Sequence, residues 1–181
     1  MSKILYDVAQ ICVNGHVIND SVKKHPEENK KFCEICGEKS ITQCPNCRTK
    51  IKGAKYSEQE IAVGRDLNSP RKSKGHKEVQ KVEIEYKIPA YCPNCGNPYP
   101  WTEKKIKAAH ELTQELDNLS QKEKELLEKS INDIIKDTPN AKVAATRFKK
   151  LAPKIGEVAL QGFKVLLVDI ISEAMKKMLW P

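Results

Sequence analysis

Hydrophobic positions follow two periods along this chain. Over residues 3–13 they alternate loosely, with Ile4, Tyr6, Val8, Ile11 and Val13 drawn mostly from β-branched and aromatic types, which predicts a short strand. Asn14-Gly15 is a turn signal, and HVIN after it predicts a second strand. Residues 82–91, VEIEYKIPAY, alternate again at Val82, Ile84, Tyr86 and Ile88 and predict a strand with one wet face. Past residue 100 the period lengthens to that of a helix. Thr102 is a plausible N-cap, with Trp101 and Ile106 as a hydrophobic staple, for a first helix running to about residue 118 and carrying Ile106, Ala109, Leu112 and Leu116 on one face. Ser120 and Glu123 form a capping box for a second, with Leu127, Ile131, Ile134 and Ile135. Thr138-Pro139 opens a third, with Pro139 at its first position and Ala141, Ala144, Ala145, Phe148 and Leu151 inward.

Pro153 then opens a last helix over residues 153–180, about 40 Å long at 1.5 Å per residue. Ile155, Ala159, Phe163, Leu166 and Ile170 make one seam along it, and Leu160, Leu167, Ile171 and Met178 lie beside them. That stripe is wider than one neighbouring helix covers, so the expectation is that part of it docks on a second copy of the chain or on another protein. An anionic membrane surface near Lys176 and Lys177 satisfies the same physics. Gln161, Lys164 and Asp169 interrupt the apolar run, which argues against a membrane span.

Seven cysteines change the picture of the first hundred residues. Three pairs stand at C-x-x-C spacing, Cys33/Cys36, Cys44/Cys47 and Cys92/Cys95, on turns tight enough to bring two thiolates to one tetrahedral metal. Cys12 and His16, in CVNGH, make a fourth half-site, and His25 is the rival to His16. Eight ligands suffice for two closed Zn²⁺ sites. Seven residues separate Cys36 from Cys44, whereas twenty separate Cys12 from Cys33. The long spacings have room for the two strands of a ribbon, so the expected sites are Cys12, His16, Cys33 and Cys36, then Cys44, Cys47, Cys92 and Cys95. The alternative is a cross-brace that pairs Cys12/His16 with Cys44/Cys47 and Cys33/Cys36 with Cys92/Cys95. The all-cysteine set is also suited to iron. A thioredoxin-type motif would need a βαβ setting that the short strands do not provide. Disulfides would need an oxidising compartment, and MSKILYDVAQ carries no export signal, so the expected location is the cytoplasm.

Composition adds less. With 39% hydrophobic, 31% charged and 6% aromatic residues, the chain is globular but without a large core. The formal charge of +8 falls to about +5 once seven thiolates and two Zn²⁺ are counted, which weakens a nucleic-acid reading without removing it. A basic loop at residues 64–81, with six Lys or Arg against Asp66 and Glu78, is the element such a reading would use. No phosphate-binding glycine loop, nucleophile elbow or H-E-x-x-H is present, and both zinc sites are closed by protein ligands, so the chain is not expected to be an enzyme.

The succession DVAQICVNGHVIND, KFCEICGEKSITQCPNC, PAYCPNCGNPYPWTE, DTPNAKVAATRFKKL and SEAMKK resembles a bacterial family of uncharacterised zinc-ribbon proteins, a domain of unknown function, over nearly the whole length. The resemblance implies a metal-stabilised N-terminal module, a helical C-terminal module and no established activity. Residues and resemblance together predict an α+β chain: a double zinc-ribbon module of short antiparallel strands at 1–100, then a helical module at 101–181. Its expected function is that of an interaction protein, with the ribbons as recognition head and the last helix for docking.

Overall fold

The computed structural model describes residues 3–58 and 86–180. The basic loop at 64–81 and the alternating residues Val82 and Ile84 lie outside them. The chain is α+β, with short antiparallel strands in the first half and five helices in the second, and it divides into two compact units, Met1–Lys87 and Ile88–Pro181. The boundary thus falls before the third C-x-x-C pair and not near residue 100. The reason is local: the Trp101 indole N–H donates to the Pro89 carbonyl at 3.0 Å and the Thr102 hydroxyl to the Ala90 carbonyl at 2.8 Å, which binds residues 89–98 to the first helix.

In the first unit the strands are β1 (Lys3–Val8), β2 (Gln10–Cys12), β3 (Val17–Asn19), β4 (Ser40–Ile41) and β5 (Lys52–Glu58). The single strand expected over residues 3–13 is split. A register shift between Tyr6 and Val8 ends the β1–β5 ladder, the Ala9 amide donates to the Ile51 carbonyl at 2.9 Å, and the chain passes into a second sheet of order β3-β2-β4. Gly53 permits this crossing. A Cβ there would fall on the carbonyl oxygen of Asp20 and within 2.7 Å of the Val8 carbonyl carbon. Residues 86–91, the described part of the alternating segment, form no strand beyond an isolated bridge at Tyr91, although the Tyr86 hydroxyl donates to the Lys52 carbonyl at 2.7 Å.

Apolar burial in this unit is slight. Among the described residues its buried aliphatic side chains are Val8, Ala9, Ile11 and Ile51; the other buried apolar positions are Cys12, Cys33 and Cys44. Buried polar side chains do the remaining positioning. Asp7 accepts from the amides of Lys23 and Lys24 at 3.0 and 3.2 Å, and the Gln10 amide group bonds both the carbonyl and the amide of Lys30. Asn19 donates to the His25 carbonyl at 2.7 Å. These bonds lay the long connection between β3 and β4 against the sheet, with a turn of 3₁₀ helix at Pro26–Glu28.

The second unit is built differently. Its helices are α1 (Pro100–Gln114), α2 (Gln121–Ile135), α3 (Ala141–Ile155), α4 (Glu157–Leu167) and α5 (Glu173–Leu179). All four inward residues expected of α2 and all five expected of α3 are buried. The helix starts shift. Pro100, not Thr102, opens α1, with Tyr99 as N-cap, so Trp101 lies inside the helix and stacks on Tyr99 at 4.6 Å instead of stapling its start. Asn140 caps α3, which leaves Pro139 outside it.

The long terminal helix is not present. Pro153 lies within α3, because the apolar period from Phe148 and Leu151 continues to Ile155. Gly156, at φ +82, then stops α3, and a second break follows α4, where the Ser172 hydroxyl accepts from the Met175 amide at 3.3 Å to begin α5. Three short helices thus fold back on one another, and Ile155, Phe163, Leu167, Ile170, Ile171, Met175 and Leu179 enter one core with α2 and α3. The seam expected to dock elsewhere is largely internal. Among the described residues no helix is long and apolar enough to cross a membrane.

Replacing Gly53 with Ala forces backbone to move and should destabilise the first unit by at least about 2 kcal/mol in denaturant unfolding, more than a side-chain adjustment would cost. In the second unit the capping box forms, with the Ser120 amide donating to Glu123 Oε2 at 2.9 Å while Lys154 pairs with Glu123 Oε1 at 2.6 Å. The hydrogen bond from Lys154, followed by those from Ser120, lowers the Glu123 carboxyl from 4.5 to about 2. Its contribution to stability is therefore present above about pH 4.5 and lost as pH falls through about 2. Wild type should exceed Glu123→Gln in helical stability at pH 5, and urea titrations at successively lower pH should show that difference vanish.

Candidate metal centre

Three turns of the chain have one backbone plan. In each, the amide of the first cysteine donates to a carbonyl five residues on: Cys33 to Glu38, Cys44 to Thr49 and Cys92 to Asn97, at 2.8, 2.8 and 2.9 Å. The carbonyl of that cysteine accepts from the residue after the second cysteine, namely Gly37, Arg48 and Gly96, at 2.8 to 2.9 Å. Those three residues have φ of +71, +60 and +71. The reversal they make closes the knuckle with a bridge between flanking residues, Phe32 with Lys39, Gln43 with Lys50 and Tyr91 with Pro98. Glycine is the natural occupant of such a φ, so Arg48 departs from the pattern at a steric cost.

The fourth half-site is a different turn. The Cys12 amide donates to the His16 carbonyl at 3.0 Å and the Gly15 amide to the Cys12 carbonyl at 2.9 Å, with Gly15 at φ +93, and the His16 amide points at Cys12 Sγ at 3.2 Å. Cys12 ends the central strand β2, and its neighbour β4 leads out of the first knuckle, pairing Cys12 with Ser40. Sheet pairing thereby carries the first knuckle to the Cys12 turn.

The ligand atoms of Cys12, His16, Cys33 and Cys36 all lie within 4.8 Å of one another. His16 Nδ1 is 3.4 Å from Cys12 Sγ and 3.6 Å from Cys33 Sγ, and Cys12 Sγ is 3.8 Å from Cys36 Sγ. With metal–sulfur and metal–nitrogen bonds near 2.3 and 2.05 Å, a tetrahedron has edges of about 3.8 Å between sulfurs and about 3.55 Å between sulfur and nitrogen. The quartet therefore fits a metal of zinc size, and the Nδ1 atom of His16 is the one turned to it. Burial pushes the Cys12 thiol up, whereas the backbone amide of Glu38 pulls Cys36 down. A dication beside them would hold every thiol of the cluster ionised.

His25 is not part of this group. It sits with Glu27 and Glu28 in an exposed cluster, its Nδ1 3.2 Å from a Glu27 oxygen. Because Cys12 and His16 meet Cys33 and Cys36, the cross-brace pairing is excluded. Of the remaining cysteines, Cys44 and Cys47 stand on the second knuckle within the first unit, and Cys92 and Cys95 on the third within the second unit. In both, the leading cysteine is buried and the trailing one half-buried. Sequence reasoning missed Asp7, Gln10 and Asn19, which position the first knuckle from a distance that no local motif signals.

Residues 5–75 and 68–179 match the model of a family described as an uncharacterized protein conserved in bacteria, DUF2321. The chain belongs to DUF2321. No curated protein matches it, and no solved structure does. Within this DUF2321 chain the knuckles supply their own controls for backbone strain. Arg48→Gly should stabilise the first unit by about 1 kcal/mol, because it removes a left-handed non-glycine residue. Gly37→Ala should destabilise it by about 1 to 2 kcal/mol, all of it conformational, since a Cβ there meets nothing within 4 Å. Denaturant midpoints of the variants and the wild-type chain, compared pairwise under the same metal conditions, measure both.

Proposed function

We propose that the chain is a non-enzymatic zinc-binding interaction protein that holds two Zn²⁺ and presents its ribbon unit to a partner. Zinc is the metal the donor set favours: three thiolates and one imidazole, closed, with no position left for a substrate. Cys44 and Cys47 supply two further thiolates and Cys92 and Cys95 another two, on knuckles of the same backbone plan, so the second zinc takes these four. Pairing of the knuckles is the chemically complete solution, since two thiolates alone fill half of a tetrahedral shell.

One observation carries the recognition role. The second and third knuckles place Pro-Asn between their cysteines, at Pro45-Asn46 and Pro93-Asn94, whereas the first places Glu34-Ile35 there. Ile35 is 75% exposed and Phe32, at the foot of the same knuckle, 55% exposed. An apolar pair on a rigid metal-bound turn, where the sister turns carry polar or structural residues, is the arrangement of a docking point. The helical unit spends most of its apolar residues on its own core but leaves Val158 and Val165 of α4 exposed, and the contact is assigned to the ribbon because only there does the exposed pair stand on a metal-binding turn.

Metal analysis of protein purified without added zinc should give about two Zn per chain. One per chain would remove the proposed second site. A photo-crosslinking residue at position 35 should then give a discrete protein adduct in bacterial cells, and the same residue at exposed Glu27 should not. The double substitution Glu34→Pro with Ile35→Asn, which copies the sister knuckles, should keep its zinc and compete for no partner. Adducts to nucleic acid instead of protein would favour the basic-loop reading, and no adduct at either position would contradict the docking role.

A further inference from the structure

Cys36 is the exposed member of the seven cysteines, all of which are among the described residues. Its three companions in the cluster are shielded: Cys12 is 0% exposed, Cys33 4%, and His16 half-buried. The knuckle explains the asymmetry. Its leading cysteine is tied into the turn by two backbone bonds, to Glu38 and from Gly37, while its trailing cysteine stands on the outer side beside exposed Ile35. A metal-bound thiolate keeps its nucleophilic lone pairs, and access then decides which sulfur meets an oxidant first. A second sulfur is close enough to complete the reaction, with Cys12 Sγ 3.8 Å away.

We propose that Cys36 is an oxidative modification site, at which a hydroperoxide converts the Cys12/His16/Cys33/Cys36 cluster to a disulfide and discharges its metal. The inference rests on the reading that this cluster binds zinc. In the first step the Cys36 thiolate attacks a peroxide oxygen, the O–O bond breaks, and the departing hydroxide takes a proton to leave as water when the oxidant is hydrogen peroxide. Cys36 becomes a sulfenic acid, oxidised by two electrons as the peroxide is reduced by two. In the second step the Cys12 thiolate attacks the Cys36 sulfur, the S–O bond breaks and hydroxide leaves. The sulfurs close from 3.8 Å to about 2 Å. Two thiolates, one hydrogen peroxide and two protons give one disulfide and two waters. Zinc keeps only Cys33 and His16 and is lost, and the Cys12–Cys36 disulfide replaces it as the tie between β2 and the first knuckle.

The test uses the full zinc-loaded chain, assayed for metal before oxidation and then treated with sub-stoichiometric hydrogen peroxide in the presence of a chromogenic zinc chelator. Differential alkylation and peptide mass mapping identify the oxidised sulfurs over time. The expected result is early modification at Cys36, a Cys12–Cys36 disulfide, release of one zinc, and recovery of the thiols with dithiothreitol. Cys36→His keeps four ligands without the exposed sulfur and should release zinc at least about tenfold more slowly. If that variant does not fold, the order of modification in the wild-type chain still decides. A chain that carries no zinc at the start would sink the metal reading and this inference together. A zinc-loaded chain in which Cys47 or Cys95 reacts first, or in which peroxide releases no metal, would sink the inference alone.

Discussion

Four ligand atoms from two turns, Cys12 with His16 and Cys33 with Cys36, converge in a unit whose described residues bury little else. The strands of the first unit are two to seven residues long and bury four aliphatic side chains among the described residues. At about 25 cal/mol per Å² that burial cannot offset the ordering of more than fifty residues. On the proposal that Cys12, His16, Cys33 and Cys36 hold zinc, that metal closes the gap, because a structural zinc contributes folding free energy on the order of 10 kcal/mol. The polar clamps at Asp7, Gln10 and Asn19 have meaning only in that context. They order a long connection that a small core could not, and so deliver Cys33 and Cys36 to the turn that carries Cys12 and His16.

The helical unit follows the opposite logic. Its helices bury a continuous set of Leu, Ile, Ala and Phe side chains, with Phe148 packed edge-on against Phe163 at 5.7 Å and against Trp180 at 6.4 Å. Stability here is distributed over many contacts and over caps that each contribute about 1 kcal/mol. Loss of metal therefore bears on the two units unequally, and an oxidant reaching Cys36 would act on the ribbon while the core around Phe163 and Leu167 stayed packed.

What the sequence revealed was whatever is encoded over a few residues. C-x-x-C spacing implies a knuckle, Asn14-Gly15 implies the turn that returns His16 to Cys12, and Ser120 with Glu123 implies a helix start; each appears in the structure. The inward faces of α2 and α3 were equally legible, since periodicity and burial report the same geometry. Long-range features were not. The bulge that divides β1 from β2 depends on Gly53, more than forty residues away, and its close approach to Asp20. The terminal segment reads as one helix in the sequence because Pro153 marks helix starts more often than interiors, and because a glycine inside an apolar run, Gly156, is equally compatible with a helix and with its end. Its left-handed backbone decides the matter, and with it whether the apolar stripe faces inward or waits for a partner.

The ribbon unit is proposed to be a folded object because one metal is gripped through the Nδ1 atom of His16 and three cysteine sulfurs. Long-range proton–nitrogen correlation of the imidazoles in the zinc-loaded protein reads this directly, because a ring ligated through one nitrogen carries its proton on the other. His16 should appear as the Nε2–H tautomer, and a strong chelator should abolish that signature together with the dispersed amide signals of residues 10–19 and 33–41. A His16 ring protonated at Nδ1 in the zinc-loaded protein, or one indifferent to chelation while those amides keep their dispersion, would contradict the account.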